Sequence, residues 1–328
     1  MLVAVVCLAY SRTFDVPFVF DDRRVITENP LVRDVGIHFT PWRAGESGAN
    51  PSQISGLRTR WFAMLTLAVD FRLHGLRPAG YHATNLAIHL LATLTLFDLV
   101  RRTLRLPALG SSRLASRAEL VALLVAALFA LHPIQTQAVT YVTQRMASLT
   151  GALCLVALWA HLRARSDERR ARRVAFAMLA VLAVALAMVT KQNAFTFPLV
   201  MLLFDRSFLS PRRSVSWKWL AAPLLAMLII PLEGVVQTRA APGVLESFAS
   251  MSRETTEIDR DDYLYTQTRV VVTYLRLLVL PVRQNLDYDI RPSDSFMEPA
   301  VVGSTLLLFA LAGLGGYLLT SRRALDPA

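Results

Sequence analysis

The sequence has 328 residues, 54% of them apolar, with a mean hydropathy of +0.42, more apolar than the surface of a soluble domain this long allows. Its net charge of +11 would suit a nucleic-acid partner, but the arginines sit in short clusters between apolar runs. That pattern excludes a nucleic-acid-binding protein and marks the basic loops of a membrane protein. The two cysteines, Cys7 and Cys154, both lie in apolar segments and exclude a disulfide framework.

In chain order, Met1–Tyr10 is apolar with no Lys or Arg before it, so it does not read as a cleaved signal. A first helix is expected over about residues 1–18. Further spans are expected at about 81–100, 118–132, 147–162, 174–190, 194–209, 219–236 and 300–320, several of them approaching the roughly 20 residues that cross a hydrocarbon core. Basic clusters lie at 101–117, 163–173, 206–218 and 322–323, and they alternate with gaps poor in Lys and Arg. The positive-inside rule then places Ser11–Gly80, Pro133–Met146, the turn at Lys191 and Gln237–Pro299 on the outer face.

The long first outer loop, 11–80, is expected to contain a helix lying on the membrane over Trp61–His74, whereas Arg23–Gln53, with three prolines and two glycines, reads as loop. In the second outer loop, 237–299, Tyr263–Pro281 is apolar but carries Arg269 and Arg276 on one helical face. Each would cost roughly 2.5–3.5 kcal/mol at a bilayer centre, so a helix lying in the outer interface or dipping in is expected over 263–281, the alternative being an ordinary span whose arginines snorkel. The fold class is an all-α polytopic membrane protein, a single transmembrane domain over 1–328 without internal repeats.

The residues that can carry chemistry fall on the outer face. Asp21 and Asp22 directly follow the aromatic run Phe18-Val19-Phe20, and an apolar setting with a like-charged neighbour can make a carboxylate a general base. His82, Asn85 and His89 share one helix face, where polar groups serve either as interhelical glue or as a wet site. His132-Pro133 opens a polar stretch ending at Arg145; Arg145 and, further on, Lys191 suit a phosphate oxygen, a carboxylate or a helix end. His82 and His89 have no carboxylate partner at ligand spacing, so no metal site is assigned. Acids, cations and histidines gathered on one face suit an anionic lipid-linked substrate.

Phe18–Asp22, His82-x-x-Asn85-x-x-x-His89, His132-Pro133 with Arg145, and Lys191 before Pro198 together resemble a GT-C glycosyltransferase-like family. Its relatives are the protein O-mannosyltransferases and bacterial membrane proteins with C-terminal tetratricopeptide arrays. The specific strings are HPIQTQAVTYVTQR at His132–Arg145 and DYLYTQTRVVVTYLRLLVLPVRQNLDYD at Asp262–Asp289. The resemblance implies a GT-C-like transmembrane helix bundle that transfers a sugar from a polyprenyl-phosphate carrier to an acceptor hydroxyl, a protein hydroxyl among them. It implies inversion, at the extracytoplasmic face of a bacterial inner membrane, with no cofactor. Asp21 would be the base and Asp22 would assist. Arg145, Lys191 and Arg269 are the candidates for the departing lipid phosphate, and His132, His82 and Asn85 for substrate contact. Gln192 stands where relatives usually carry an acid after the lysine, and no tetratricopeptide repeat occurs here, so the chain reads as a fragment. The competing readings are a silent membrane anchor for a repeat domain and a transporter of lipid-linked sugar.

Overall fold

The computed structural model describes residues 1–110, 112–209, 221, 223–225 and 258–321. The expected span at 219–236 lies almost wholly outside them, as do Arg212, Arg213, Lys218, Arg322 and Arg323. The chain divides into two compact units, Met1–Leu232 and Glu233–Ala328, each described by itself.

In the first unit α1 spans Leu2–Ala9. The sequence predicts a span continuing to about residue 18, but a 3-10 turn at Ser11–Asp15 follows instead. Pro17 forces Val16 into extended backbone (φ −80°, ψ 129°), which ends helical continuation. The stretch read as loop, Arg23–Gln53, is built from a wide turn at Arg23–Thr27 and 3-10 turns at Pro30–Arg33, Val35–His38 and Pro41–Ser47. Asn29 and Asp34 cap two of these turns, and Asn50 with Gln53 forms a capping box for α2, Pro51–Thr59. Ile26, Leu31, Val32, Ile37, Leu57, Met64 and Leu67 close a core under these turns. The loop is therefore a small packed module, because its apolar residues have a helix to bury against: α3, Trp61–His74.

Gly75 (φ 61°) ends α3, and Pro78 starts α4, Pro78–Leu104, at the position where a missing N–H costs nothing. The remaining helices of this unit are α5 (Ala118–Leu131), α6 (Gln135–Thr140), α7 (Arg145–Ser166), α8 (Arg170–Met188) and α9 (Phe197–Phe204). α4 packs on α5 and α7, and α7 packs on α8. In the second unit α10 (Arg260–Val279) packs on α11 (Pro299–Thr320).

The packing is inverted relative to a soluble bundle. Along α5, Ala118, Ala122, Ala126 and Ala130 are buried, while Leu120, Leu124 and Leu128 are exposed. α8 repeats the pattern, burying Ala180, Ala183 and Ala187 and exposing Val174, Met178 and Leu182. Small residues inside and leucines outside are what a hydrocarbon solvent selects. Among the described residues four helical segments are long and apolar enough to cross a bilayer: Pro78–Leu104, Val142–Ser166, Arg170–Met188 and Pro299–Leu318. The protein is an all-α integral membrane protein. The other segments expected as spans are shorter as helices. α5 stops at Leu131 because His132 precedes a proline, and the 194–209 segment is split between a 3-10 turn, α9 and a wide turn at Asp205–Leu209.

Inverted packing has a testable asymmetry. Ala126→Leu, which overfills the buried seam of α5, should lower the unfolding temperature in detergent at a cost of about 1–3 kcal/mol. Leu124→Ala, on the outward face, should leave that temperature nearly unchanged; equal losses from the two would contradict the inside-out arrangement.

Candidate active site

The helices of the first unit have chemically distinct ends. At one end lie the C-terminus of α4, the α7–α8 junction and the start of α5, and arginines dominate. Asp98 is held by Arg101 and Arg102 and accepts the Trp159 indole N–H at 2.8 Å. Arg105 pairs with Glu119 at 3.0 Å, Arg172 with Asp167 at 3.2 Å, and the Arg163 guanidinium stacks on Phe176. Buried Asp205 is met by His161 and Arg165, each at 3.1 Å.

The opposite end is organised by one short strip, Tyr141–Arg145, joining α6 to α7. Its alternate residues each hold an acid. The Tyr141 hydroxyl donates to Asp21 Oδ2 at 3.0 Å and accepts the Asp21 backbone N–H at 3.3 Å. Thr143 donates both its backbone N–H (2.7 Å) and its hydroxyl (2.6 Å) to Asp22 Oδ1. Arg145 Nη1 lies 2.6 Å from Asp70 Oδ2, its Nε donates to Asn85 Oδ1 at 2.7 Å, and its Nη2 donates to the Tyr81 carbonyl at 2.9 Å. Thr84 donates to the other oxygen of Asp70 at 2.7 Å, and the Tyr81 ring lies against the guanidinium.

The two adjacent acids have different surroundings. Asp22 is fully buried, its second oxygen taking the Val19 N–H at 3.1 Å, so it holds the 19–22 turn against the start of α7. Asp21 is exposed. It follows Phe20, whose backbone is left-handed (φ 52°) although its side chain is bulky and 60% exposed. Such a conformation costs on the order of 1–3 kcal/mol and is characteristic of strained functional turns. Burial, and next the hydrogen bond to Asp21, raise the Tyr141 hydroxyl well above the ordinary phenol range, which keeps it a proton donor to that carboxylate.

The polar face of α4 serves backbone ends. His82 Nε2 donates to the Val16 carbonyl at 2.9 Å, Asn85 Nδ2 to the Val139 carbonyl at 3.3 Å, and His89 Nε2 to the Ala130 carbonyl at 3.0 Å. All three side chains are buried. Expected from sequence as substrate contacts, His82 and Asn85 instead tie down chain ends that have no helical partner. His132 does the same locally, its Nδ1 accepting the Ile134 N–H at 3.2 Å. Arg145, expected to face a lipid phosphate, is 0% exposed with its charge met by Asp70. Desolvation outweighs its role as a surface anion ligand, because a buried guanidinium needs a fixed counter-charge.

Asp70 and Arg60 carry functions that the sequence expectations do not assign them. Asp70 is the single acid in the apolar run of α3, and an acid there requires a buried partner. Arg60, half-buried just before α3, reaches the Met146 sulfur at 3.3 Å and among the described residues has no carboxylate partner. The Phe62 N–H bonds the Val189 carbonyl at 3.1 Å, which brings the start of α3 beside the turn that carries half-buried Lys191. Arg269 belongs to the second unit, where its Nη1 donates to Ser293 Oγ at 2.7 Å and to the Arg291 carbonyl at 3.3 Å. No three His, Cys, Asp or Glu side chains among the described residues gather as a metal site.

Over 209 residues, 60% of its length, the chain is 32% identical to Protein O-mannosyl-transferase Tmtc2 of Drosophila melanogaster, of which the match covers 20%. Over 212 residues it is 28% identical to Protein O-mannosyl-transferase TMTC4 of Homo sapiens, covering 62% of this chain and 28% of that one. Over 322 residues, 96% of its length, it is 24% identical to Protein O-mannosyl-transferase F38B6.6 of Caenorhabditis elegans, 43% of that protein. The chain is thus similar in sequence to proteins named protein O-mannosyl-transferases. No family model and no solved structure matches it. The chain spans less than half the length of these curated relatives.

The Asp70–Arg145 ion pair is buried on both sides. Asp70→Asn, which strands a buried guanidinium, should cost about 3–5 kcal/mol. Asp70→Asn combined with Arg145→Met should recover part of that loss in thermal unfolding. A double variant no more stable than Asp70→Asn alone would mean that the pair is not coupled.

Proposed function

We propose that the chain is the membrane-embedded part of a GT-C-type glycosyltransferase. It moves a sugar, with mannose the first candidate, from a polyprenyl-phosphate carrier to an acceptor hydroxyl, a protein hydroxyl among the candidates. The observation that carries this reading is Asp21: an exposed carboxylate on a strained turn, fixed by Tyr141 and backed by the buried Asp22–Thr143 and Asp70–Arg145 contacts. Similarity to proteins named protein O-mannosyl-transferases supports the reaction class.

In the proposed step Asp21 takes the proton of the acceptor hydroxyl while that oxygen bonds the anomeric carbon from the face opposite the carrier. The bond from the anomeric carbon to the carrier's phosphate oxygen breaks, its electron pair stays on the phosphate, and the sugar inverts. Asp22 is a positioning residue for the turn, and Arg145 is a positioning residue for the strip. Arg60 and Lys191, both half-buried, are the candidates for steadying the departing phosphate by electrostatic stabilisation. The arginine-rich helix ends favour the cytoplasmic side, which puts Asp21 on the extracytoplasmic face, the periplasmic side if the membrane is a bacterial inner membrane.

Asp21→Asn should abolish transfer from polyprenyl-phosphate mannose in isolated membranes, with the unfolding temperature unchanged. Undiminished transfer, or glycoproteins and glycolipids identical by mass spectrometry with and without the intact chain, would remove the enzymatic reading and leave a membrane scaffold. Arg60→Gln should raise KM for the lipid donor about tenfold, the effect of losing one charge-assisted hydrogen bond, with Arg60→Lys recovering part of it.

A further inference from the structure

The Asp21 carboxylate is held asymmetrically. The Tyr141 hydroxyl is bonded to the same residue twice, donating to Oδ2 and accepting from the backbone N–H, so the carboxylate cannot rotate without breaking the contact. Oδ1 of Asp21 has no hydrogen bond among those the structure records, although Asp21 is otherwise bonded through its N–H, its Oδ2 and its carbonyl, which accepts the Val25 N–H at 2.8 Å. Tyr141 is itself fixed, its backbone N–H bonded to Gln137 and its carbonyl accepting from Gln144. It is also half-buried, so its own position does not depend on a substrate.

We propose that Tyr141 is the positioning residue of the base: by occupying Oδ2 and bonding the Asp21 backbone N–H it fixes the carboxylate so that Oδ1 is the oxygen that accepts the acceptor's proton. The inference rests on Asp21 being the base. The charged neighbours along the chain are Asp22, buried and held by Thr143, Arg23, paired with Glu28 at 2.5 Å, and exposed Arg24. From the packed strip the titratable group facing Asp21 is the Tyr141 phenol, which burial keeps protonated.

The test separates positioning from folding. In membranes holding the full chain, with rates taken per folded chain, Tyr141→Phe should lower kcat for transfer from polyprenyl-phosphate mannose about tenfold, the size expected for losing one hydrogen bond to an ion, with KM unchanged. Replacing Tyr141 by 3-fluorotyrosine, which keeps the hydroxyl at nearly the same size, should keep kcat near that of the unaltered chain. An unchanged kcat in Tyr141→Phe, an equal loss in the fluorotyrosine form, or a loss seen in KM alone would overturn the assignment. Transfer lost in Asp21→Asn but kept in Tyr141→Phe would sink the clamp alone, whereas no transfer by the intact chain would sink the enzymatic reading.

Discussion

Arg145 is a full positive charge with no access to water, placed at the first residue of α7 and beside the first turn of α4. Both helix ends carry positive partial charge, so the surroundings contributed by the helices oppose the guanidinium twice over. Asp70 reverses this, assisted by the Asn85 amide oxygen, the Tyr81 carbonyl and the nearby Asp22. Three separate elements, α3, α4 and α7, must therefore meet at one point for the charge to be tolerable. Everything else at this end of the bundle inherits its register from that requirement.

The inheritance runs along two-residue steps. With Arg145 fixed, Thr143 is presented to Asp22 and Tyr141 to Asp21, so the strip converts one buried ion pair into the placement of an exposed carboxylate. Asp22 on the Thr143 N–H is also an anion at the positive start of α7, an arrangement favoured by the same dipole that opposes Arg145. The opposition of the two acids, one enclosed and one open, follows from this geometry: a turn that anchors its second acid inward can only send the first outward. Phe20, at φ 52° directly before the pair, opens this turn.

Much of this was legible in sequence, and what was not has a physical reason. The acid pair, Arg145 and the α4 polar face stand out because polar groups in apolar segments are costly. Their partners are less visible. Asp70 carries no signal of its own, since one acid in Trp61–His74 leaves no periodic trace of what it faces. The roles of His82, Asn85 and His89 depended on where helices end. The carbonyls they serve, at Val16, Val139 and Ala130, are orphaned by breaks at Pro17, Tyr141 and Pro133, and only the fold brings those breaks to α4. The expected spans at 1–18 and 194–209 are broken up for a related reason. Hydropathy counts apolar residues regardless of whether a proline or a 3-10 turn divides them, as at Pro17 and in Gln192–Thr196.

The separation of ends gives the arrangement its directional sense. At one end Asp98, Glu119, Asp167 and Asp205 are each paired with arginine, and the excess of arginines leaves that end basic. The other end keeps one carboxylate open on a strained turn and one guanidinium, Arg60, whose recorded side-chain partner is a thioether, a weak acceptor that leaves its charge unmet. The two ends therefore differ in kind: at one the acids are bound up with arginines, and at the other a carboxylate stands exposed on a strained turn.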